Sequence, residues 1–159
     1  MSETGHEIHR YTAVTSWAGS TGVGYDQYDR GHTALSPPAE VELGLSSDPS
    51  FRGDSSRLNP EQLLVLAASS CQLLSFLAVA ARARVDVVAY EDRAEGEMPE
   101  EPRPARVARI VLRPRITIRG EMPRGTRLLH LVEVAHRECF IANSLTSEIE
   151  IQPTFLRAV

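Results

Sequence analysis

Lysine is absent from the sequence, and all 17 basic residues are arginine. The simplest explanation is genomic composition bias, which carries no functional information. Acidic residues number 21 and outweigh the basic ones, so the net charge at pH 7 is −4. A chain of this charge has no general attraction to nucleic acid or to an anionic membrane, and we therefore expect neither as a partner.

Cysteine is also scarce, with Cys71 and Cys139 as the only two in 159 residues. Residues 1–10 are polar and lack the apolar segment of a signal peptide, so we expect the chain to stay in the cytoplasm. In a reducing compartment two cysteines rarely serve as a permanent disulfide. Their presence there favours a redox or catalytic use.

Charge is missing altogether from residues 62–81. The residues before this stretch have the features of a helix start, with Asn59 as a capping residue, Pro60 at the first helical position and Glu61 in the first turn. The pattern predicts a helix over about residues 60–82. The stretch is long enough to span a bilayer, but several serines and a glutamine would then lie at mid-membrane. We therefore predict a helix buried inside the protein.

Strand patterns surround this helix. Residues 107–119 alternate, with isoleucine and leucine on one side and arginine on the other, and Pro114 predicts an edge position or a bulge. A second helix is predicted over about residues 127–141. Shorter strands are predicted over residues 11–17, 33–36, 41–45, 85–91 and 148–152. This order predicts one α+β domain over residues 1–159, with a loose tail at 1–8 and helices packed against mainly antiparallel sheets.

The arginines of residues 107–119 allow two interpretations. A row of positive charge is one feature of a nucleic-acid surface. The strand and loop that precede it, residues 85–101, are rich in aspartate and glutamate, however, and adjacent strands of opposite charge pair with each other. We therefore predict cross-strand ion pairs on a solvated face.

Histidines near the second cysteine raise the question of a metal site. His136 and Cys139 are three residues apart and share a helix face. His130 lies six residues before His136 and does not share that face. Because no third ligand is evident, we predict no metal and no other cofactor.

The reactivity of the two thiols depends on their thiolate fraction, which is small for an ordinary cysteine at neutral pH. Cys71 lies mid-helix, where no helix N-terminus stabilises an anion, so it needs a nearby arginine or histidine. Cys139, on the inward stripe of the second helix, lies at the negative end of the helix dipole. This favours Cys71 as the attacking thiol, if an arginine is near, and Cys139 as the resolving thiol. The alternative is a pair of small buried apolar side chains.

The segments around both cysteines resemble motifs of a known family. Residues 59–71, which begin NPEQLL and end ASSC, resemble the first cysteine helix of the OsmC/Ohr family, the osmotically inducible and organic-hydroperoxide-resistance proteins. Residues 136–144, HRECFIANS, resemble its second cysteine motif. Residues 25–32 and 47–54 further resemble one OsmC-like branch. The resemblance covers about residues 9–154.

This resemblance implies an OsmC-like fold, an intertwined homodimer with shared active sites, and a peroxidase that reduces organic hydroperoxides. In the family's mechanism the first thiolate attacks the peroxide and becomes a sulfenic acid, which the second cysteine converts to a disulfide. Carried over here, Cys71 is the peroxidatic cysteine and Cys139 the resolving one. Arg30 matches the activating arginine, and Glu61 matches the glutamate that holds it by a bidentate pair. The resemblance also implies a dithiol reductant, such as a lipoylated protein.

Four further residues are candidates for the substrate side of this site. The OsmC-like branch often has histidine directly after the first cysteine, where this chain has Gln72. His32 follows Arg30 by two residues, and Tyr28 is one of the aromatic residues able to wall an apolar pocket. Phe140 belongs to the second cysteine motif. We predict that Tyr28, His32, Gln72 and Phe140 contact the substrate.

Helix geometry adds a constraint that does not depend on the resemblance. Glu61 and Cys71 are ten residues apart on one helix, hence about 15 Å apart along its axis. They cannot share a small site within one subunit. If Glu61 and Arg30 serve Cys71, they come from the partner subunit across a two-fold axis, and dimerisation is a condition of catalysis.

Two other functions are compatible with these residues. One is an OsmC-like dimer without peroxidase activity that binds a small apolar ligand. The other is a redox sensor whose disulfide alters a partner surface. Multiple turnover with a peroxide and a dithiol separates an enzyme from both.

Overall fold

The computed structural model describes residues 8–159, so the predicted tail at 1–8 lies outside the described residues except for Ile8. Contacts divide the chain into two compact units, the first ending at Pro60 and the second beginning at Glu61. The single domain over residues 1–159 stays a prediction.

The first unit contains a three-stranded antiparallel sheet. Its strands are β1 (Val14–Ser16), β2 (His32–Leu35) and β3 (Leu43–Leu45), in the order β1-β2-β3. Thr15 lies opposite Ala34 and Thr33 opposite Gly44. All three predicted strands are present; β1 and β3 are shorter than predicted, and β2 has the predicted length but begins one residue earlier. The prolines at 37 and 38 follow β2 directly, and because proline has no N–H to donate they prevent the ladder from continuing.

The loop between β3 and the first helix is held by local hydrogen bonds. Asp48 accepts a bond from the Ser50 amide at 2.7 Å and caps the short 3-10 helix Pro49–Phe51. Gly53 approaches the backbone so closely that a Cβ there would lie 1.6 Å from the Ser47 carbonyl oxygen. Only glycine fits at this position, and the chain is thereby directed towards the helix.

Two helices belong to the second unit, α1 (Pro60–Arg82) and α2 (Gly125–Glu138). Both were expected at these places. Arg84 adopts the left-handed conformation, with φ of 58°, and ends α1 in a Schellman arrangement in which the Val85 amide donates to the Ala80 carbonyl at 2.9 Å. The second helix ends three residues earlier than predicted, because Cys139 has extended backbone (φ −73°, ψ 110°).

Six strands complete the second unit. They are β4 (Asp86–Asp92), β5 (Glu95–Glu97), β6 (Arg109–Leu112), β7 (Pro114–Arg119), β8 (Glu148–Ile151) and β9 (Thr154–Arg157). They form two three-stranded sheets, in the orders β4-β7-β9 and β5-β6-β8. In each sheet the central strand pairs antiparallel with one neighbour and parallel with the other. The α+β class with mainly antiparallel pairing is confirmed.

The predicted strand over residues 107–119 is in fact two strands in different sheets. The chain leaves β6 and enters β7 at Arg113, whose amide donates to Asp92 Oδ1 at 2.6 Å. Pro114 is the first residue of the central strand β7 and is buried, so the predicted edge position or bulge at Pro114 is wrong. A proline is tolerated there because it begins the strand.

Both helices pack against these sheets. The larger core cluster comprises Phe76, Val79, Ala80, Val85, Ile116, Ile118, Leu128, Leu131, Val132 and Ala135. A smaller cluster joins Ala68 of α1 to Ile110 and Leu112 of β6. The helix α1 therefore crosses from one sheet to the other, and Cys71 lies between the two clusters along its length.

Three of the arginines in residues 107–119 pair with acidic side chains, as predicted. Arg109 binds Glu97 at 2.9 Å and also binds Glu150. Arg113 pairs with Glu95 at 3.1 Å, and the β7 residue Arg119 pairs with Asp86 of β4 at 3.7 Å. The positive charge of this surface is thus neutralised by neighbouring segments.

The helix α1 is less buried than the sequence predicts. Its inward stripe is covered, but only 28% of its most apolar 18-residue window is buried, and the opposite face exposes Leu66, Leu74 and Leu77. By length and composition alone the helix is able to cross a membrane, a test that the core helix of a soluble protein also passes. A continuous apolar face therefore remains uncovered in the single chain.

Replacing Phe76 by alanine tests the main core. Because Phe76 is fully buried between α1, α2 and β7, we expect the free energy of unfolding to fall by about 3–5 kcal/mol in urea denaturation. The same substitution at Phe140, which is 80% exposed, is the control and should cost less than about 1 kcal/mol. Equal losses at the two positions would contradict this description of the core.

Candidate active site

The two cysteines meet in the second unit. Cys71 lies half-buried in the middle of α1, and Cys139 lies at the end of α2 with only 1% of its surface exposed. Both are free thiols, and a hydrogen bond with the Cys71 side chain is one of the causes that raise the pKa of Cys139. The inward position expected for Cys139 is confirmed. The two cysteine side chains are therefore neighbours in the fold.

The environment of Cys139 keeps its proton in place. The pKa of Cys139 is raised to about 11. Burial is the largest cause, and a hydrogen bond with Cys71 and the negative charge on the Cys71 sulfur also raise the pKa. The amides of Ile141 and Ala142 oppose the shift, the second by donating to Cys139 Sγ at 3.5 Å. Cys139 is therefore a protonated thiol near neutral pH.

A tight turn after α2 fixes this geometry. The Cys139 amide donates to the His136 carbonyl at 3.2 Å, and the Cys139 carbonyl accepts from the Asn143 amide at 3.0 Å. The 3-10 helix Ala142–Ser144 follows at once. This turn points two backbone N–H groups at the sulfur, in place of the free carbonyls that a continuing helix end presents.

Three buried polar atoms of the second unit are unpaired. Within residues 8–159, the buried side-chain atoms that lack a hydrogen-bond partner are Gln72 Oε1, the Tyr90 hydroxyl and His136 Nδ1. Gln72 is only 1% exposed, so its side chain faces the buried side of α1. Such groups are costly to bury unpaired, and one of them, Tyr90, interacts electrostatically with Cys139.

A β-bulge directs Tyr90 towards α1. The register of β4 shifts between Val87 and Ala89, so that Tyr90 and Asp92 lie opposite the buried residues Ile116 and Pro114 of β7. The Tyr90 ring packs on Phe76 with centroids 6.1 Å apart. Burial raises the pKa of Tyr90 well above its ordinary value, and the negative charges of Asp92 and Cys139 add to this effect.

Asp92 links the same strand to α1. Its carboxylate accepts a hydrogen bond from Ser69 Oγ at 2.6 Å and another from the Arg113 amide at 2.6 Å. Sequence reasoning missed Ser69, Tyr90 and Asp92, since the bulge that turns the last two inward leaves no mark in the residue pattern. The sequence of residues 85–91 predicts a strand, but it does not predict which of its side chains face the core.

The first unit holds three of the predicted site residues together. The guanidinium of Arg30 donates to the carbonyls of Tyr28 at 2.8 Å and Tyr25 at 2.6 Å, and it stacks on their rings at 3.9 Å and 4.8 Å from the centroids. His32 Nδ1 lies 2.9 Å from the Arg30 carbonyl oxygen. Within residues 8–60, Arg30 pairs with no carboxylate. The result is a cation held rigidly by neutral groups.

The remaining predicted residues are separate. Glu61 lies in the first turn of α1. Phe140 follows Cys139 but points to solvent. Among residues 8–159, no group of three or more histidine, cysteine or acidic side chains is arranged to hold a metal ion. The roles predicted for Arg30, Glu61 and the four substrate-binding residues stay predictions.

Comparison with known proteins establishes the family. The model of the OsmC-like protein family matches residues 53–154, so the chain belongs to this family. Its fold is that of an OsmC-like protein of unknown function from Vibrio cholerae, with 28% identity over 92% of this chain and 100% of that one and a TM-score of 0.84. No curated protein matches the sequence.

Two more distant structures share the fold. One is an organic hydroperoxide resistance protein OsmC from Legionella pneumophila, with 14% identity over 95% of this chain and 99% of that one and a TM-score of 0.67. The other is an organic hydroperoxide resistance protein from Elizabethkingia anophelis, with 17% identity over 96% of this chain and 99% of that one and a TM-score of 0.68. The family resemblance stated from the sequence is confirmed.

Alkylation separates the two thiols. Because Cys139 is buried and has a pKa of about 11, we expect iodoacetamide at about pH 8 to label Cys71 first, with Cys139 labelled only as the pH approaches 11 or after unfolding. Peptide mass spectrometry measures both rates. In Cys71→Ser the pKa of Cys139 should fall but remain raised, since burial is the larger cause. Equal labelling of both thiols at about pH 8 would contradict the assignment.

Proposed function

We propose that this chain is a thiol-dependent peroxidase that reduces organic hydroperoxides, with Cys71 attacking the peroxide and Cys139 resolving the product. The observation that carries the proposal is the hydrogen bond between the Cys139 and Cys71 side chains. It places the protonated thiol of Cys139 beside the proposed nucleophile. Membership of a family that includes organic hydroperoxide resistance proteins supports the same chemistry.

The first step is attack by the Cys71 thiolate on the terminal oxygen of the hydroperoxide. The O–O bond breaks, its electron pair leaves with the alkoxide, and a proton converts the alkoxide to an alcohol. Cys71 is oxidised by two electrons to a sulfenic acid. Its half-buried position on α1 leaves the sulfur accessible for this attack, whereas Cys139 is fully enclosed.

The second step joins the two sulfurs. Cys139 attacks the sulfenic sulfur of Cys71, the S–O bond breaks, and water leaves. Because the two side chains are already hydrogen-bonded neighbours, no large movement is required. A dithiol then reduces the disulfide by thiol–disulfide exchange and is itself oxidised, which returns both cysteines to the starting state. A lipoylated protein is the reductant that we propose.

Activation of Cys71 requires a positive charge, and we propose Arg30 of the partner subunit as its source. Arg30 is held by two carbonyls and two aromatic rings and keeps its charge without a carboxylate in residues 8–60. Glu61 lies about 15 Å from Cys71 along α1, so a site that uses Arg30, Glu61 and Cys71 combines two subunits. Tyr28 and His32 accompany Arg30 and are proposed to contact the substrate with Phe140.

The homodimer is proposed from the exposed face of α1. Leu66, Leu74 and Leu77 recur on this face, and Leu74 lies three residues from Cys71. A second copy of the chain that covers this face excludes water from the thiol. It also provides an apolar wall, which suits an organic hydroperoxide better than hydrogen peroxide.

Turnover measurements test the peroxidase. With a dithiol present, the wild-type protein should consume cumene hydroperoxide over many cycles and faster than hydrogen peroxide. Cys71→Ser should lose at least about 10³-fold of the rate, since the nucleophile is gone. Cys139→Ser should react once and stop as a sulfenic acid, which dimedone traps. One cycle without turnover in the wild type would indicate a sensor, and no reaction a ligand-binding protein.

The charge-bearing substitution Leu74→Glu tests the dimer. It places a carboxylate in the middle of the proposed interface, and we expect light scattering to show a monomer with peroxidase activity reduced at least about tenfold. The matched control is Leu129→Glu on α2, a leucine that is also exposed, which should leave both properties unchanged. A fully active Leu74→Glu monomer would contradict a site shared between subunits.

A further inference from the structure

The resolving step needs a base that the two cysteines do not provide. With a pKa of about 11, only about one Cys139 in 10⁴ is a thiolate near neutral pH. The thiolate is the nucleophile in disulfide formation. After Cys71 has become a sulfenic acid, a base that removes the thiol proton of Cys139 increases the thiolate fraction and so speeds its attack.

His136 occupies a position suited to this task. It lies in the last turn of α2, three residues before Cys139, so that the two side chains are neighbours on the helix surface with Cβ atoms about 5–6 Å apart. The ring is half-buried, and its Nδ1 is fully buried without a hydrogen-bond partner among residues 8–159. One edge of the imidazole therefore faces the interior while part of the ring reaches solvent.

The other groups around Cys139 cannot accept its proton. The amides of Ile141 and Ala142 are donors. Tyr90, from β4, has a raised pKa and keeps its own proton. Asp92, also from β4, already accepts two hydrogen bonds, from Ser69 Oγ and from the Arg113 amide. Gln72 Oε1 is also unpaired, but an amide oxygen is too weak a base to take a thiol proton, whereas a neutral imidazole nitrogen is able to do so.

We propose that His136 is the general base of the resolving step, taking the proton of the Cys139 thiol through Nδ1 as Cys139 attacks Cys71. The proposal rests on the proposed function, in which an organic hydroperoxide oxidises Cys71. It explains why a buried ring nitrogen is left unpaired in the reduced protein, where the Cys139 thiol is hydrogen-bonded with Cys71 instead. The C-terminal end of α2 stabilises the imidazolium that forms.

The resolving step moves one proton, forms one S–S bond and breaks one S–O bond. The S–H proton of Cys139 moves to His136 Nδ1, and the sulfur lone pair forms the S–S bond with Cys71. The S–O bond of the sulfenic acid breaks, and its electron pair leaves with oxygen as hydroxide. The hydroxide takes a proton and becomes water, and the imidazole returns to its neutral form. Cys139 is oxidised and the sulfenic sulfur is reduced, so no further oxidant is needed.

An aromatic disulfide reagent, dithiobis(nitrobenzoate), tests the base without any peroxide. The Cys71 thiolate attacks it, releasing one coloured nitrothiolate and leaving a mixed disulfide. Cys139 then attacks that disulfide and releases the second nitrothiolate, a step that also requires loss of its proton. Stopped-flow absorbance resolves the two releases in the wild type and in His136→Asn, with Tyr90→Phe as the control that removes another unpaired polar group near Cys139.

We expect His136→Asn to slow the second release by on the order of 10²-fold near neutral pH and to change the first less than about twofold. The variant rate should rise with pH until Cys139 ionises near 11, whereas the wild-type rate should depend less steeply on pH because a base assists the loss of the proton. A structural defect would lower the rate without changing this profile. Tyr90→Phe should remain within about fivefold of wild type.

Three results would overturn the proposal: an unchanged second release in His136→Asn, an unchanged pH profile, or an equal loss in Tyr90→Phe. Failure of the proposed function is recognised separately, as an inability of the wild type to consume cumene hydroperoxide. The two release rates are still measured in that case, so the base and the peroxidase are judged by independent data.

Discussion

The hydrogen bond between the two sulfurs couples the packing of the second unit to its chemistry. One sulfur lies at the middle of α1 and the other at the end of α2, and both helices bury their apolar stripes in the same core against β7. Because the helices are fixed by this core, the thiols are held together without a covalent bond. Proximity of this kind makes the formation of a disulfide an intramolecular reaction, for which the entropic cost of the encounter is paid on folding.

Burial also divides the roles between the two thiols. The low-polarity surroundings that stabilise the core penalise a thiolate at Cys139, while Cys71 remains half-buried and open to solvent. The consequence is a nucleophile on one helix and a proton-bearing partner on the other. The turn after α2 partly offsets the rise in the pKa of Cys139, since two amides point at its sulfur. These amides stabilise the anion that must form later in the cycle.

Much of this arrangement is visible in the sequence. Both helices are predicted from their uncharged or amphipathic stripes, and the capping residues before α1 locate its start at Pro60. The protonated state of Cys139 is also anticipated, although for the wrong reason. The helix dipole was expected to oppose the thiolate, whereas in the structure the neighbouring amides favour it and burial opposes it.

Other features depend on long-range packing that no local pattern records. The alternation of residues 107–119 continues across Arg113, so the passage from one sheet to the other is hidden. The bulge at Val88 reverses the faces of β4 and brings Tyr90 under α1. An apolar helix such as α1 predicts burial but does not reveal what covers each face, and here Leu74 remains 63% exposed in the single chain.

The pairing of Cys71 with Cys139 is tested most directly by mapping the disulfide after one equivalent of cumene hydroperoxide is added to the reduced protein. The oxidised chain is digested without reduction, and the linked peptides are identified by mass spectrometry. An intrachain bridge between the two cysteines, formed at the rate at which peroxide disappears, is the expected result. Loss of peroxide with Cys139 still free, and Cys71 either overoxidised or bridged to the Cys71 of another chain, would contradict it.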